Sequence, residues 1–347
     1  MLAADMARFG GANQDLLWQA FAQRGFGQLA TVTGNGDTDP VPDFSSPVES
    51  NATLVFHAAS LEGDPLPVNA NIYVGDYQAR VTPIADTDPA TTRDETAQFV
   101  PTKGRKPRYE KYNFIASAPG YGHVRFAVKK LEAGESRDIT IRFPTNFAST
   151  ARGATASGDG TGQANLIDDN EGTNWGATGA PVEGRQVVVA LPGSGRSKVK
   201  RVNVSTLLVP GQNRFTALRS FTLYACSAGR DPANPTCDGA IGAGWSEFLG
   251  ATDAFPAVNP RPVAPDMILR SWVAPAQATH VKFVVDANQC TGQPSYQGDQ
   301  DNDPNNNSDC RIGNPPVFMP RNTEVHATEL QLLSGKAKVD GKDVETE

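Results

Sequence analysis

The chain is poor in the residues that most often do chemistry. Its 347 residues include only four histidines and four cysteines. His57, His123, His280 and His326 stand far apart, and none belongs to an HExxH run or another closely spaced ligand pair, so a zinc-peptidase centre of that kind is not expected within these residues. His280 and His326 fall in strand-like stretches and read as structural. A GxSxG motif survives only as Gly193-Ser194-Gly195 inside the loop-like LPGSGRS, which excludes a nucleophile elbow. No glycine loop of the phosphate-cradling kind leads into a helix. No apolar run is long enough to span a bilayer, so membrane insertion is not expected. Positive charge is also scarce: 31 Lys and Arg face 38 Asp and Glu, a net charge of -7. Nucleic acid is therefore not an expected partner. The most basic stretch, KGRKPRYEK from Lys103 to Lys111, reads as a solvated hairpin.

Turns and strands are what the chain has in quantity. Its 33 Gly and 26 Pro beside 39% hydrophobic residues indicate a mainly β protein, and its length allows two or three domains. The cysteines form two sequence-local pairs, Cys226 with Cys237 and Cys290 with Cys310, each bracketing a polar loop and neither in CxxC spacing. Two disulfides are expected, and with them an oxidising, extracellular setting. The opening residues MLAADMARFGG have neither a basic segment nor a long apolar core. A secreted chain without an export signal reads as a fragment of a longer one.

Residues 1–32 are the helical part. Leu2, Met6 and Phe9 share a helix face, Gly10-Gly11 ends it, and a second helix follows Asn13 with Leu16, Leu17, Ala20 and Phe21 on one side. Residues 33–47 read as a linker rich in Gly, Pro, Asp and Ser. Residues 48–146 carry strand-like runs at Thr53–Phe56, Val68–Val74, Tyr112–Ala116, His123–Val128 and Asp138–Phe143, separated by turn signals. A second sandwich is expected over 150–334. The last residues, 335–347, lose periodicity and read as a frayed tail.

Within the second region one stretch stands out, NLIDDNEGTNW from Asn165 to Trp175, together with Ala327-Thr328-Glu329-Leu330 far later. Acids and an amide before a glycine turn supply the oxygens that a hard cation needs. The stretch resembles the cation corner of the discoidin, or coagulation factor 5/8 type C, family, a jelly roll also found among carbohydrate-binding modules. Arg214-Phe215, the run Leu223 to Ser227, Trp245, and the alternating Val281, Phe283 and Val285 are similar to later strands of that family. The resemblance implies a structural calcium held by Asp168, Asn170, Thr173 and Glu329. Asp169 departs from it, since that family usually has glycine there, and must accept the turn's backbone conformation. Ligand contacts at one end of the sandwich are assigned to Trp175, Arg214 and Tyr296, with Trp175 also readable as a packing residue. Asp299, Asp301 and Asp303 start like an EF-hand, but Pro304 and Cys310 break the pattern. A second, looser cation site there stays open.

Two further resemblances bear on function. The opening stretch from Leu2 to Gly27 is similar to the last helices of the fungalysin family of secreted zinc metallopeptidases. Its zinc ligands would lie upstream, so zinc belongs only to a catalytic domain that this chain lacks. Pro67, Ala70, Ile72, Val74, Tyr112, Phe114 and the APGY run resemble the transthyretin-like domain attached to carboxypeptidases, with an immunoglobulin-like sandwich as the alternative. Together they imply the non-catalytic C-terminal part of a secreted metallopeptidase, with a catalytic domain upstream and a module that tethers it to a glycan or an extracellular protein. A free-standing secreted carbohydrate-binding or adhesion protein, and a module serving only stability, are the alternatives.

Overall fold

The structure is a computed structural model. It describes all residues except 38–39, 77–81, 89, 92–93, 180, 208, 210–211, 213, 240, 256–267, 291–310, 313–316, 319–322 and 345–347. The chain divides into two compact units, both built mainly of strands.

Unit 1 takes Met1–Ala118, His123–Phe143 and Ala337–Glu345. It opens with helices α1 (Leu2–Phe9) and α2 (Gln14–Ala22). Gly10 ends α1 in the left-handed region, at φ 61, where the lack of a Cβ removes the strain. The two helices are joined by a buried carboxylate. Asp5 accepts the Asn13 side-chain amide at 2.7 Å and that of Gln14 at 3.1 Å. Asn13 precedes α2 as expected, but its side chain serves Asp5 and makes no cap bond.

Seven strands follow: β1 (Ala52–Ser60), β2 (Asn71–Val74), β3 (Ala85–Asp86), β4 (Thr96–Phe99), β5 (Lys111–Ser117), β6 (Val124–Lys129) and β7 (Ser136–Phe143). One sheet places β1 between β7 and β4, with β1 and β7 parallel over Thr53–Ser60. The other runs β3-β2-β5-β6. Phe56 of the first sheet meets Phe114 of the second at 5.7 Å between ring centroids, and Phe99 meets Phe114 at 5.5 Å. These aromatic contacts mark the sandwich core.

Within the stretch read as a solvated linker, residues 33–36 and 40–41 are exposed, but Phe44, Ser45 and Ser46 are buried. Phe44 is buried, stacked on Phe99 at 5.5 Å, and its carbonyl accepts the Val100 N–H at 2.8 Å. Gly, Pro and Ser signal the absence of a regular ladder, but one buried aromatic is enough to fix such a segment to the core.

Unit 2 takes Pro119–Gly122, Pro144–Lys336 and Thr346–Glu347. Its strands are β8 (Thr155–Gly158), β9 (Trp175–Thr178), β10 (Gln186–Ala190), β11 (Ser197–Ser205), β12 (Leu218–Cys226), β13 (Ser246–Ala251), β14 (Arg270–Ala278), β15 (His280–Asn288), β16 (Arg311–Ile312), β17 (Val317–Phe318), β18 (Glu324–Ala327) and β19 (Glu329–Leu333). A five-stranded sheet runs β13-β12-β15-β10-β8 and a three-stranded sheet β14-β11-β19, while β9 pairs with β18. The alternation read at Val281, Phe283 and Val285 places all three in the core at 0% exposure, beside Leu223, Phe221, Val202 and Leu330. Phe283 stacks on Phe221 at 5.4 Å and meets Trp175 edge-on at 6.1 Å.

The tail also departs from expectation. β20 (Lys338–Val339) and β21 (Lys342–Asp343) form a hairpin, and β20 pairs with β7 of unit 1. Asp340 fixes the pairing, its Oδ1 accepting the Thr140 N–H and its own N–H reaching the Thr140 carbonyl, each at 2.9 Å. Charged residues hide this edge strand from a periodicity reading, because its bonds are made by the backbone. Deleting residues 337–347 is expected to cost unit 1 about 2 kcal/mol, the worth of a few ladder bonds, as a lower midpoint in urea unfolding. An unchanged midpoint would mean the hairpin contributes nothing.

Candidate functional site: the acidic corner of the jelly roll

The corner begins where a 3-10 turn, Gln163–Ile167, ends at Asp168. Leu166 and Ile167 are fully buried, which anchors the turn and leaves the polar residues after it at the sandwich edge. Asp168 then organises the chain that follows. Its Oδ1 accepts the Asn170 N–H at 3.1 Å and its Oδ2 the Thr173 hydroxyl at 2.7 Å. Asn170 Oδ1 accepts the Gly172 N–H at 2.8 Å. These are the local side-chain-to-backbone bonds by which Asp and Asn build turns.

Asp169 adopts the left-handed conformation at φ 60, the region in which glycine would be unstrained. Its side chain offsets that cost. Oδ1 accepts the Asn146 amide at 2.8 Å, and Oδ2 accepts the Gly120 N–H at 2.8 Å and the Ser149 hydroxyl. Asn146 continues the network by accepting the N–H groups of Ala148 at 3.0 Å and Leu332 at 2.9 Å.

Glu329 comes from the far end of unit 2. It opens β19, with its backbone opposite Ser205 of β11 and its side chain fully buried. Its Oε2 accepts the Asn170 N–H at 3.1 Å, closing the corner across 159 residues, while Oε1 is buried with no partner among the described residues. Withdrawal from water pushes the Glu329 carboxyl well above the usual carboxylate range, and the neighbouring charges of Asp169 and Asp168 push it the same way. Asp168 is raised by burial too, partly countered by its bond from Thr173. Glu171 is a further buried acid. Its Oε1 accepts the Ser205 hydroxyl at 2.5 Å and the Leu269 N–H at 3.3 Å, and its Oε2 has no partner among the described residues.

Among the described residues no three side chains drawn from His, Cys, Asp and Glu converge as a metal-holding group. A cation here would take the Asp168 and Glu329 carboxylates and complete its shell with the Asn170 amide and main-chain oxygens. The donors are all oxygen, and the orphaned Glu329 Oε1 is a position that a hard cation would satisfy. The corner fits such an ion in chemistry.

The structure thus brings Asp168, Asn170, Thr173 and Glu329 together. Trp175, expected also as a ligand contact, is instead fully buried, with its indole N–H donated to the Asp159 carbonyl at 2.8 Å. As the first residue of β9 its ring turns into the core, so no ligand on the surface reaches it. Arg214 lies in a 3-10 turn, Arg214–Thr216, and its side chain is outside the described residues. Tyr296, Asp299, Asp301, Asp303 and Cys310 are also outside them. Cys226 and Cys237 are bonded, with Cα atoms 5.8 Å apart. Cys290 is disulfide-bonded. The sequence reading passes over Glu171 and Asn146. Glu171 sits inside the corner motif, but nothing in the linear pattern announces that a turn acid is buried.

No family model matches this chain, and no curated relative matches it. Among solved structures it is similar to a CBM32 domain from Clostridium perfringens in complex with GalNAc-β-1,3-galactose, at 15% identity over 52% of this chain and 94% of that one, with a TM-score of 0.29. It is similar to a family 32 carbohydrate-binding module from C. perfringens NanJ in complex with galactose, at 11% identity over 53% and 92%, TM-score 0.29. A chitosan-binding module of a Paenibacillus chitosanase/glucanase is matched at 14% identity over 55% and 98%, TM-score 0.30.

Two outcomes test the corner. Asp169→Ala removes three accepted hydrogen bonds and leaves a strained backbone, and should cost about 2–4 kcal/mol in chemical unfolding, whereas Asp169→Gly relieves the strain and should cost less. The raised Glu329 carboxyl means the folded state keeps a proton that the unfolded chain loses at its ordinary value. Without a cation its contribution to stability is therefore full at acid pH and falls as pH rises toward the raised folded value. In chelator, the stability of Glu329→Gln relative to the parent should increase from pH 4.5 to 7. A constant difference would show that Glu329 ionises in place.

Proposed function

We propose that this chain is a non-catalytic, glycan-directed binding protein whose jelly-roll unit carries a structural calcium ion at Asp168, Asn170, Thr173 and Glu329. In its fullest form the proposal makes it the C-terminal targeting part of an extracellular zinc metallopeptidase. The observation that carries it is the 3.1 Å bond from Asn170 N–H to Glu329 Oε2. It joins the two distant stretches that resemble the discoidin corner, within a unit built of paired strands. Asp168, Asn170, Thr173 and Glu329 would hold the ion, which would supply positive charge to carboxylates that have little beside them. The residues beside it do the positioning, with Asp168 shaping the turn and Asp169 fixing it to Asn146, Ser149 and Gly120.

The peptidase parentage is supported by the helical pair. Phe9 of α1 and Leu16 of α2 are each more than 60% exposed, as are Phe26 and Leu29 after the helices, apolar side chains of the kind that a neighbouring domain covers. The free-standing alternative draws on α2 instead. There Ala22 is fully buried and Gln23 donates to the Tyr109 carbonyl at 2.9 Å, so the helices are attached to the first sandwich without an added partner.

Thermal unfolding in calcium and in excess chelator, under non-reducing conditions, tests the cation. At a hundredfold excess over its Kd, calcium should stabilise the parent by about 2.7 kcal/mol, while Glu329→Gln should gain nothing. Equal gains in both, or none in the parent, would remove calcium from this corner.

A further inference from the structure

The Cys226–Cys237 loop and the start of β13 enclose a cleft that the corner does not use. It lies within unit 2 where β12 ends, β13 begins and β14 nears its last residues, with a volume of about 610 Å³, within the range of small-ligand sites. Its walls include Arg230, Asp231, Trp245, Glu247, Pro275 and Gln277.

The loop is held rigidly. The disulfide closes it, and the buried Asn234 ties its middle together by donating to the carbonyls of Asp238 at 2.7 Å and Ala243 at 2.9 Å while accepting the Asp238 N–H at 3.0 Å. Asp231 is oriented by accepting the Ala233 N–H at 2.8 Å. Below the loop, on β15, Lys282 is fully buried. Its ammonium donates to the Gly239 carbonyl at 2.5 Å and lies 4.4 Å from the centre of the Trp245 ring. A buried cation held by a loop carbonyl and an aromatic face pins the loop to the sheet. Such a preformed wall loses little entropy on binding.

Trp245 is 94% buried and backs the wall, its indole N–H shielded from solvent and without an acceptor among the described residues. The exposed charged groups on the wall are the recognition groups. Arg230 and Glu247 are exposed and make no ion pair among the described residues. A guanidinium fork and carboxylates beside an apolar edge at Pro275 match the alternating hydroxyls and C–H faces of a pyranose. Arg230 stands against Asp231 and Glu247 on the wall, with the Lys282 ammonium behind Trp245, so the cleft has no excess of positive charge to favour an anionic sugar.

We infer that this cleft is a binding site for neutral saccharides, with Arg230 and Glu247 bonding ring hydroxyls. It rests on the glycan-directed reading above and gives that reading a location. Isothermal titration of the full chain with a panel of neutral oligosaccharides, and with uronic-acid oligosaccharides as the anionic set, tests it. A neutral sugar should bind, and Arg230→Ala and Glu247→Ala should each weaken it at least tenfold with the melting temperature unchanged, since both side chains are exposed. Binding within twofold of the parent in both variants overturns the cleft and leaves the glycan reading standing. Preference for the anionic set overturns the neutral assignment. No binding to either set overturns both the cleft and the glycan reading.

Discussion

A carboxylate withdrawn from water sets the terms for the second unit. Glu329 stands at the start of a strand whose every residue is buried, and a buried acid without a countercharge destabilises the fold unless it is neutral or paired. Around it the described residues supply oxygens and one backbone donor, the Asn170 N–H. The fold therefore accommodates Glu329 either by keeping its proton or by taking up a cation. The turn of Asp168 to Thr173, the strained Asp169 and the strand pairing of Ser205 with Glu329 all arrange chain around that one group.

The two ends of the jelly roll solve different problems. At the corner, acids gather and local hydrogen bonds set the geometry. At the Cys226–Cys237 end, a covalent link and a buried lysine hold a loop across the outer face of the sheet. In between, Trp175, Phe221 and Phe283 fill the layer with edge-on and stacked contacts. That packing gives both ends a common rigid base.

Much of this was legible in the sequence where one physical rule dominated. The period-two pattern at Val281, Phe283 and Val285 reports the core face of a strand, though not that Lys282 and Val284 on its other face are buried too, and the local cysteine pair at 226 and 237 reports a staple. The turn from Asp168 to Thr173 was legible because Asp and Asn bond their own backbone at fixed spacing, whereas its tie to Glu329 was read only from the family resemblance. What stayed hidden depends on distant partners. Phe44 lies in a stretch whose composition suggests solvent, yet Phe99 and Tyr112 surround its ring. The pairing of β20 is made by backbone groups under charged side chains. Trp175 beside a polar turn reads first as a packing residue and second as a surface platform, and its burial edge-on to Phe283 agrees with the first.

The hairpin of β20 and β21 makes unit 1 discontinuous in sequence, because its sheet is completed by residues that follow the whole jelly roll. On a ribosome the edge of β7 would therefore emerge and wait, unpaired, while nearly two hundred residues of another domain were made. The first sandwich finishes last. Its exposed strand edge during that interval is the point at which this chain most needs a fast-folding insert or a chaperone.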